Sequence, residues 1–342
     1  MRRIAEVLLP RDRERGAISV VVAILMVTLL GFAALAVDVG MLYTEQVQLR
    51  NGADAAAIAV AQKCAKDITD PDCSVTSTLA RSLTSSNAGD GLSSVASLAV
   101  DKTARRVTVT AGAQEAGKEP NQVSLLFARA LGINTIEVTA ASAVEWGSPL
   151  AGPAPFPVAF SICQVKNHVD GTLQLLQNHG SNANPDCFYG PSGAPVSGGF
   201  GWLPNDSGIC GGLIDLDLAE AGSDPGNNGA PDVCLATLQR WADDITAGKD
   251  IVVLLPVFDE VSGTGSGAVY GLTSFAAFKV TGWKFSGNSD LPKSFRNTFS
   301  SVTCDGNCRG IIGSFIKYVS LAQGFALGPV DPNGATVVRL VQ

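Results

Sequence analysis

Apolar positions along the chain change their pattern several times. From Ala17 to Val37 they run on continuously: twenty-one residues carry no charge, and only Ser19, Thr28 and Gly31 soften the run. At about 1.5 Å per residue this predicts a helix of roughly 30 Å, the thickness of a hydrocarbon core. A secretory signal has an apolar stretch of only about 7–15 residues, and no small-x-small cleavage site followed by a break stands after Val37, so the run reads as an anchor. From Val39 to Lys66 there is no proline, and Leu42, Gln46, Leu49, Ala53, Ala56 and Val60 recur at spacings of four and three. The same helix is therefore expected to continue, with one narrow stripe of mostly small residues on its face. The whole rod would be about 75 Å long, half in lipid and half beyond it.

Past the stem the pattern alternates. Val75, Leu79 and Leu83 have helical spacing over 75–88. Residues 94–101 and 105–113 alternate apolar and polar as two strands joined by a turn at Asp101–Arg105, and 133–146 return as a third strand. Between them, 121–132 reads as a short amphipathic helix capped by Asn121 and stopped at Gly132. Pro149, Pro153, Pro155 and Pro157 then mark 147–160 as an extended linker. Residues 163–250 are rich in turns, with one helical stretch at 235–248. Strands follow at 250–261, 268–285 and 308–321, the first an apolar run that needs cover on both faces.

The expected fold class is α+β: a long N-terminal transmembrane and stem helix packed on a small α+β unit, followed by a disulfide-rich, mostly β domain. The expected divisions are a cytoplasmic basic segment (1–16), a transmembrane helix (17–37), the stem helix with an α+β domain (38–146), the Pro-rich linker (147–160) and a Cys-rich extracytoplasmic domain (161–342).

Charge orients the anchor. Arg2, Arg3, Arg11, Arg13 and Arg15 outweigh Glu6, Asp12 and Glu14 before it, whereas the first charges after it are Asp38 and Glu45. The positive-inside bias predicts a single-pass protein of the cell membrane, with the N-terminus cytoplasmic and the bulk of the chain extracytoplasmic. The chain has 342 residues, 46% hydrophobic and 16% charged, with a mean hydropathy of +0.23. That apolar content excludes a disordered chain. Removing the +2 flank from a net charge of −7 leaves the exported part at −9, a surface that repels nucleic acid.

Eight cysteines stand at Cys64, Cys73, Cys163, Cys187, Cys210, Cys234, Cys304 and Cys308, all beyond the anchor. An even number in an oxidising compartment predicts disulfides. Cys64 with Cys73 and Cys304 with Cys308 enclose short turn-rich loops; the other four leave three pairings open. The only histidines, His168 and His179, form no cluster with cysteine, so no structural metal or cofactor is expected. Asp215, Asp217, Asp224, Asn227 and Asn228 offer oxygens of the kind calcium takes, but their spacing fits no EF-hand, and an acidic solvated loop is the expectation.

Other constellations fail on context. Gly263–Gly267 follows a strand but lacks the Lys-Ser/Thr of a phosphate loop, and strand-like residues come next, so it reads as a hairpin turn. No Gly-x-Ser-x-Gly elbow occurs, and His168 and His179 have no defined nucleophile. No enzyme activity is expected. The rival reading is an exported binding module or hydrolase in the C-terminal domain.

Arg15, Gly16, Ala36, Val37, Asp38, Gly40, Leu49, Asn51, Ala53, Asp54, Ala55, Ala56 and Ala57 follow a recognisable order: an Arg-Gly start, an apolar span closing in Ala-Val-Asp-x-Gly, then Leu-x-Asn-x-Ala-Asp-Ala-Ala-Ala. This stretch resembles the N-terminal segment of the TadE/TadG-like Flp pilus-assembly proteins. Arg50 stands where that family has Gln, and Gly52 where it often has Ala.

The resemblance implies a non-enzymatic, membrane-anchored component that holds or links the pilus or secretion machinery. Its partners would be the membrane and other Tad/Flp assembly proteins or pseudopilins. Asp38, Leu49, Asn51, Ala53, Asp54, Ala56 and Ala57 are the candidate interaction residues. Pilins cut after a glycine carry a glutamate at the fifth mature position; counting from Gly16, Val21 stands there, so an uncut anchor is expected. Asp72–Thr76 imitates the metal motif of the von Willebrand type A domains in some long TadG proteins, but it lacks the preceding buried strand and contains Cys73.

Overall fold

The computed structural model describes residues 15–177, 187–190, 193, 196, 200–218, 220–222, 230–263, 268–285, 290–319 and 324–341. The basic flank before Arg15, His179, Asp224, Asn227, Asn228 and most of the Gly263–Gly267 turn lie outside these residues.

One helix, α1, runs without interruption from Arg15 to Lys66 over 52 residues. Two environments divide it. From Ile18 to Val37 every side chain faces outward apart from the half-covered Ala34, and the apolar stretch has a mean hydropathy of 2.9 with none of it buried in the fold. Within it, the Thr28 hydroxyl donates back to the Ile24 carbonyl at 2.9 Å, which satisfies the group without water. Beyond Asp38 one face goes under cover: Leu49, Ala53, Ala56, Ala57, Val60, Ala61 and Cys64 are buried. The helix stops where Asp67 folds onto the Thr69 N–H (2.8 Å) ahead of Pro71, and a Cys64–Cys73 disulfide closes the turn.

A second helix, α2 (Thr78–Asn87), starts at Ser77, whose hydroxyl accepts the Ala80 N–H at 3.2 Å. It crosses α1 at Gly52, where an added Cβ would stand 3.2 Å from the Thr84 Cα and carbonyl oxygen. The residue that departs from the Ala of the resembled pattern thus opens the crossing.

Strands β1 (Ser93–Asp101) and β2 (Arg106–Ala113) form the expected hairpin. Asp101 organises its turn by accepting the Thr103 and Ala104 N–H groups. A two-stranded ribbon, β3 (Gln122–Ser124) and β4 (Thr135–Glu137), replaces the helix expected over 121–132. Asn121 is not its cap: it sits at φ +66° and its side-chain oxygen accepts the Ser94 hydroxyl at 2.7 Å. Only Ala128–Leu131 winds, as one 3-10 turn, before Gly132 ends it at φ +85°.

The 16-residue β5 (Thr139–Ala154) then covers most of the stretch read as a linker. Short elements follow: β6 (Val158–Ser161), α3 (Ile162–Val165), β7 (Gln174–Gln177), β8 (Phe200–Trp202), β9 (Gly212–Asp215) and β10 (Glu220–Gly222). Next come α4 (Leu235–Thr246), a long hairpin of β11 (Ile251–Ser262) and β12 (Val269–Lys284), β13 (Ser294–Phe295) and β14 (Gly310–Ile316). The chain closes with β15 (Tyr318–Val319), β16 (Ala326–Gly328) and β17 (Thr336–Val341).

The first sheet has the order β1-β2-β5-β17-β15, with β9 and β16 added along the far half of β5. Val107 opposite Val144, and Trp146 opposite Val338, turn one face to α1, so the Ala-rich stem is core. The second sheet, β7-β14-β12-β11-β6-β8, holds the aromatic core of Phe156, Phe160, Trp202, Trp241, Phe278 and Trp283. The apolar run of β11 is covered on both faces: Val253, Leu255 and Val257 enter this core, while Leu254 joins Phe275, Ala335 and Val337 in a third cluster.

That third cluster joins the lobes and corrects the division of the chain at 147–160. Val338 of β17 faces α1 and Val337 faces the second sheet, so the C-terminal strand completes the first sheet. Pro149 and Pro153 are paired residues of β5, opposite Leu327 and Leu213. Ser148, buried at the bend, donates to the Ala335 carbonyl and accepts the Asp331 N–H, both at 2.8 Å. The disulfides not fixed by the sequence are Cys163–Cys187 and Cys210–Cys234, the latter pinning the start of α4; Cys304–Cys308 forms as expected.

Candidate functional site

Asp38 sits where α1 passes from its outward-facing apolar half to its buried half. Only 4% of it is exposed, so the first charge past the apolar run is buried rather than solvated. The carboxylate instead accepts backbone N–H groups from the turn between β3 and β4: Leu126 at 2.9 Å, Phe127 at 3.1 Å and Ala128 at 2.7 Å. These donors open the 3-10 turn, and a carboxylate there meets both their hydrogen-bonding need and their partial positive charge. The partner lies about ninety residues away in sequence, so no local signal gives it. Thr28, Gly31, Phe32, Ala34 and Leu35 continue from Asp38 along α1 and, with Phe127, Ala128, Ala130 and Leu131, line a groove of about 450 Å³.

The ribbon is also held next to this turn, at the last residue of β3. Glu115 accepts the Ser124 hydroxyl at 2.6 Å and its N–H at 2.7 Å, and these bonds hold its carboxyl below the usual range. Burial, with the Asp90 and Glu115 carboxylates nearby, pushes Glu45 up. At the far end of the stem Asp72 accepts the Leu79 N–H (3.1 Å) and the Ser77 hydroxyl (2.9 Å), which hold it low.

The other candidate interaction residues separate into two groups. Leu49, Ala53, Ala56 and Ala57 are buried against the sheet of their own chain, so the small-residue stripe is occupied in the folded molecule. Asn51 is exposed on the opposite face, and Asp54 is half-buried and ion-paired with Arg50 one turn earlier at 3.4 Å. Arg50, which replaces the Gln of the resembled pattern, therefore supplies the counter-charge that an acid among alanines needs.

Elsewhere, His168 is exposed in a loop where its carbonyl accepts from Gln174. Asp215 accepts the Asp217 N–H locally. Among the described residues, no three metal-capable side chains converge. The arrangement offers packing and an apolar groove beside the candidate span.

Neither the curated proteins nor the solved structures contain a match to this chain. Residues 16–63, which span the apolar half of α1, Asp38 and nearly all of the buried stripe, match the family model Tad, described as putative Flp pilus-assembly TadE/G-like, so over that stretch the chain is similar to TadE/G-like proteins.

Proposed function

We propose that the chain is a non-catalytic, permanently anchored component of a Flp/Tad pilus-assembly or secretion apparatus, which it holds or links at the cell envelope. One observation carries the reading: the helix that matches the TadE/G-like model is at once the candidate membrane span and the central core element of the folded part. A force or position applied at the bilayer is thereby transmitted into the domain without a hinge. The basic flank before the span supports an orientation with the bulk of the chain outside the cytoplasm. Because the alanine stripe is filled in cis, contacts with other assembly proteins fall to the exposed faces of α1, including Asn51, and to the outer surface of the β-rich lobe.

Replacing residues 1–37 with a cleavable export signal tests this. The released domain should accumulate folded and disulfide-bonded, yet pilus assembly should be lost. Normal assembly with the released domain would refute an anchoring role.

A further inference from the structure

We propose that the turn between β3 and β4, residues 125–133, is a second membrane element that inserts beside α1 into the leaflet through which α1 leaves the bilayer. The inference rests on the reading of α1 as a membrane span and extends it to a part of the chain with no apolar run long enough to suggest such a role.

Position comes first. The groove between this turn and α1 is lined from Thr28 to Asp38, ten residues or about 15 Å of helix rise. That stretch is the last half of the uncharged span. Wherever the bilayer sits to cover Ala17–Val37, the turn lies alongside the part of α1 that hydrocarbon surrounds.

Side-chain character agrees with that depth. Leu126, Phe127, Leu131, Ile133 and Ile136 are all exposed, Leu131 by 80%. Between Val123 and Ile136 the only charged residue is Arg129, an exposed side chain with the length to return to the phosphate level. In water these residues would form an uncovered apolar patch at the end of a marginal two-stranded ribbon. Continuity with the apolar face of α1 identifies acyl chains as the cover.

The backbone gives the independent argument. Irregular chain enters hydrocarbon only when its polar groups are satisfied within the protein. Here the N–H groups of Leu126, Phe127 and Ala128 go to Asp38. Those of Leu125, Ala130, Gly132 and Ile133 go to the Asn134, Phe127, Arg129 and Ala128 carbonyls. Seven donors across nine residues are closed internally, and the three that a 3-10 turn leaves open are met by the one carboxylate at the end of the span. Asp38 thus acts as a clamp that lets a turn without an amphipathic helix sit at this depth.

The test uses the full chain in phosphatidylcholine–phosphatidylglycerol vesicles whose lipids carry bromine or a nitroxide at defined acyl depths, reading quenching of an introduced tryptophan. The native Trp146, Trp202, Trp241 and Trp283 are buried within the fold and supply a constant background. Leu131→Trp reports the turn, Leu30→Trp reports the span, and Leu213→Trp, at an exposed site in the β-rich lobe, reports water. All three positions are exposed, so none depends on repacking a core.

Insertion predicts quenching at position 131 comparable to that at 30 and several-fold above that at 213. Quenching at 30 with none at 131 overturns the proposal and leaves the anchor standing. No quenching at either overturns the anchor and the proposal together. Quenching at 131 that disappears as the protein-to-lipid ratio is raised, while that at 30 persists, would assign the groove to a second copy and likewise overturn insertion.

Discussion

Asp38 joins two parts of the chain that share nothing in sequence, and its removal should be read locally. Asp38→Asn keeps the shape but loses the charge and one acceptor, so amide exchange at Leu126, Phe127 and Ala128 should speed up by roughly tenfold. Exchange at β2 should stay unchanged. Unaltered exchange at the three amides would show that the carboxylate does not hold the turn. The acids that do titrate in water set a pH dependence. Asp72 and Glu115 are both held below the usual carboxylate range, so each binds its proton more readily in the unfolded chain. Their contribution is complete above about pH 4.5 and is lost as pH falls through the depressed folded values. Glu45, pushed up by burial and its acidic neighbours, works in the opposite direction and offsets part of the loss. A melting temperature that declines below about pH 4, with a shallower decline in the Asp72→Asn, Glu115→Gln double variant, is expected; an unchanged slope would contradict the assignment.

At the scale of the element, α1 shows what a sequence can and cannot convey. Its two halves were legible because helical periodicity is local: the uncharged run and the stripe through Leu49, Ala53, Ala56 and Val60 both follow from side chains a few residues apart. The course of β5 was not. Pro149 and Pro153 lack N–H donors and imitate a linker, yet they pair with Leu327 and Leu213, whose identities give no local hint. The helix expected at 121–132 failed for the same reason, since the Asp38 carboxylate, not Asn121, supplies the cap. Packing of the stripe makes a direct prediction. Ala56 is fully buried, so Ala56→Leu should cost about 1–3 kcal/mol through overpacking. Asn51→Leu, on the exposed face, should change stability by no more than about 0.5 kcal/mol. Arg50→Gln, which restores the resembled pattern, should cost about 0.5 kcal/mol or less because the Asp54 pair is partly solvated. Denaturant titration of the full chain in detergent measures all three.

The whole molecule is layered, with α1 and α2 on the first sheet, the first sheet on the second, and α4 beyond. β17 sits at the middle with Val338 in one core and Val337 in the other, so the lobes should unfold together. Val337→Ala should lower stability by about 2 kcal/mol and shift one common transition, seen equally from both sheets by amide exchange. Separate transitions would indicate independent domains. In the proposed anchoring role, this coupling would let displacement of the span move both lobes together. The most direct measurement is the distance between spin labels at positions 30 and 51, both exposed on α1, in the full chain reconstituted in vesicles. Twenty-one helical residues predict one narrow distribution near about 31 Å; a broad or markedly shorter distribution would reveal a hinge between membrane and core and contradict the account.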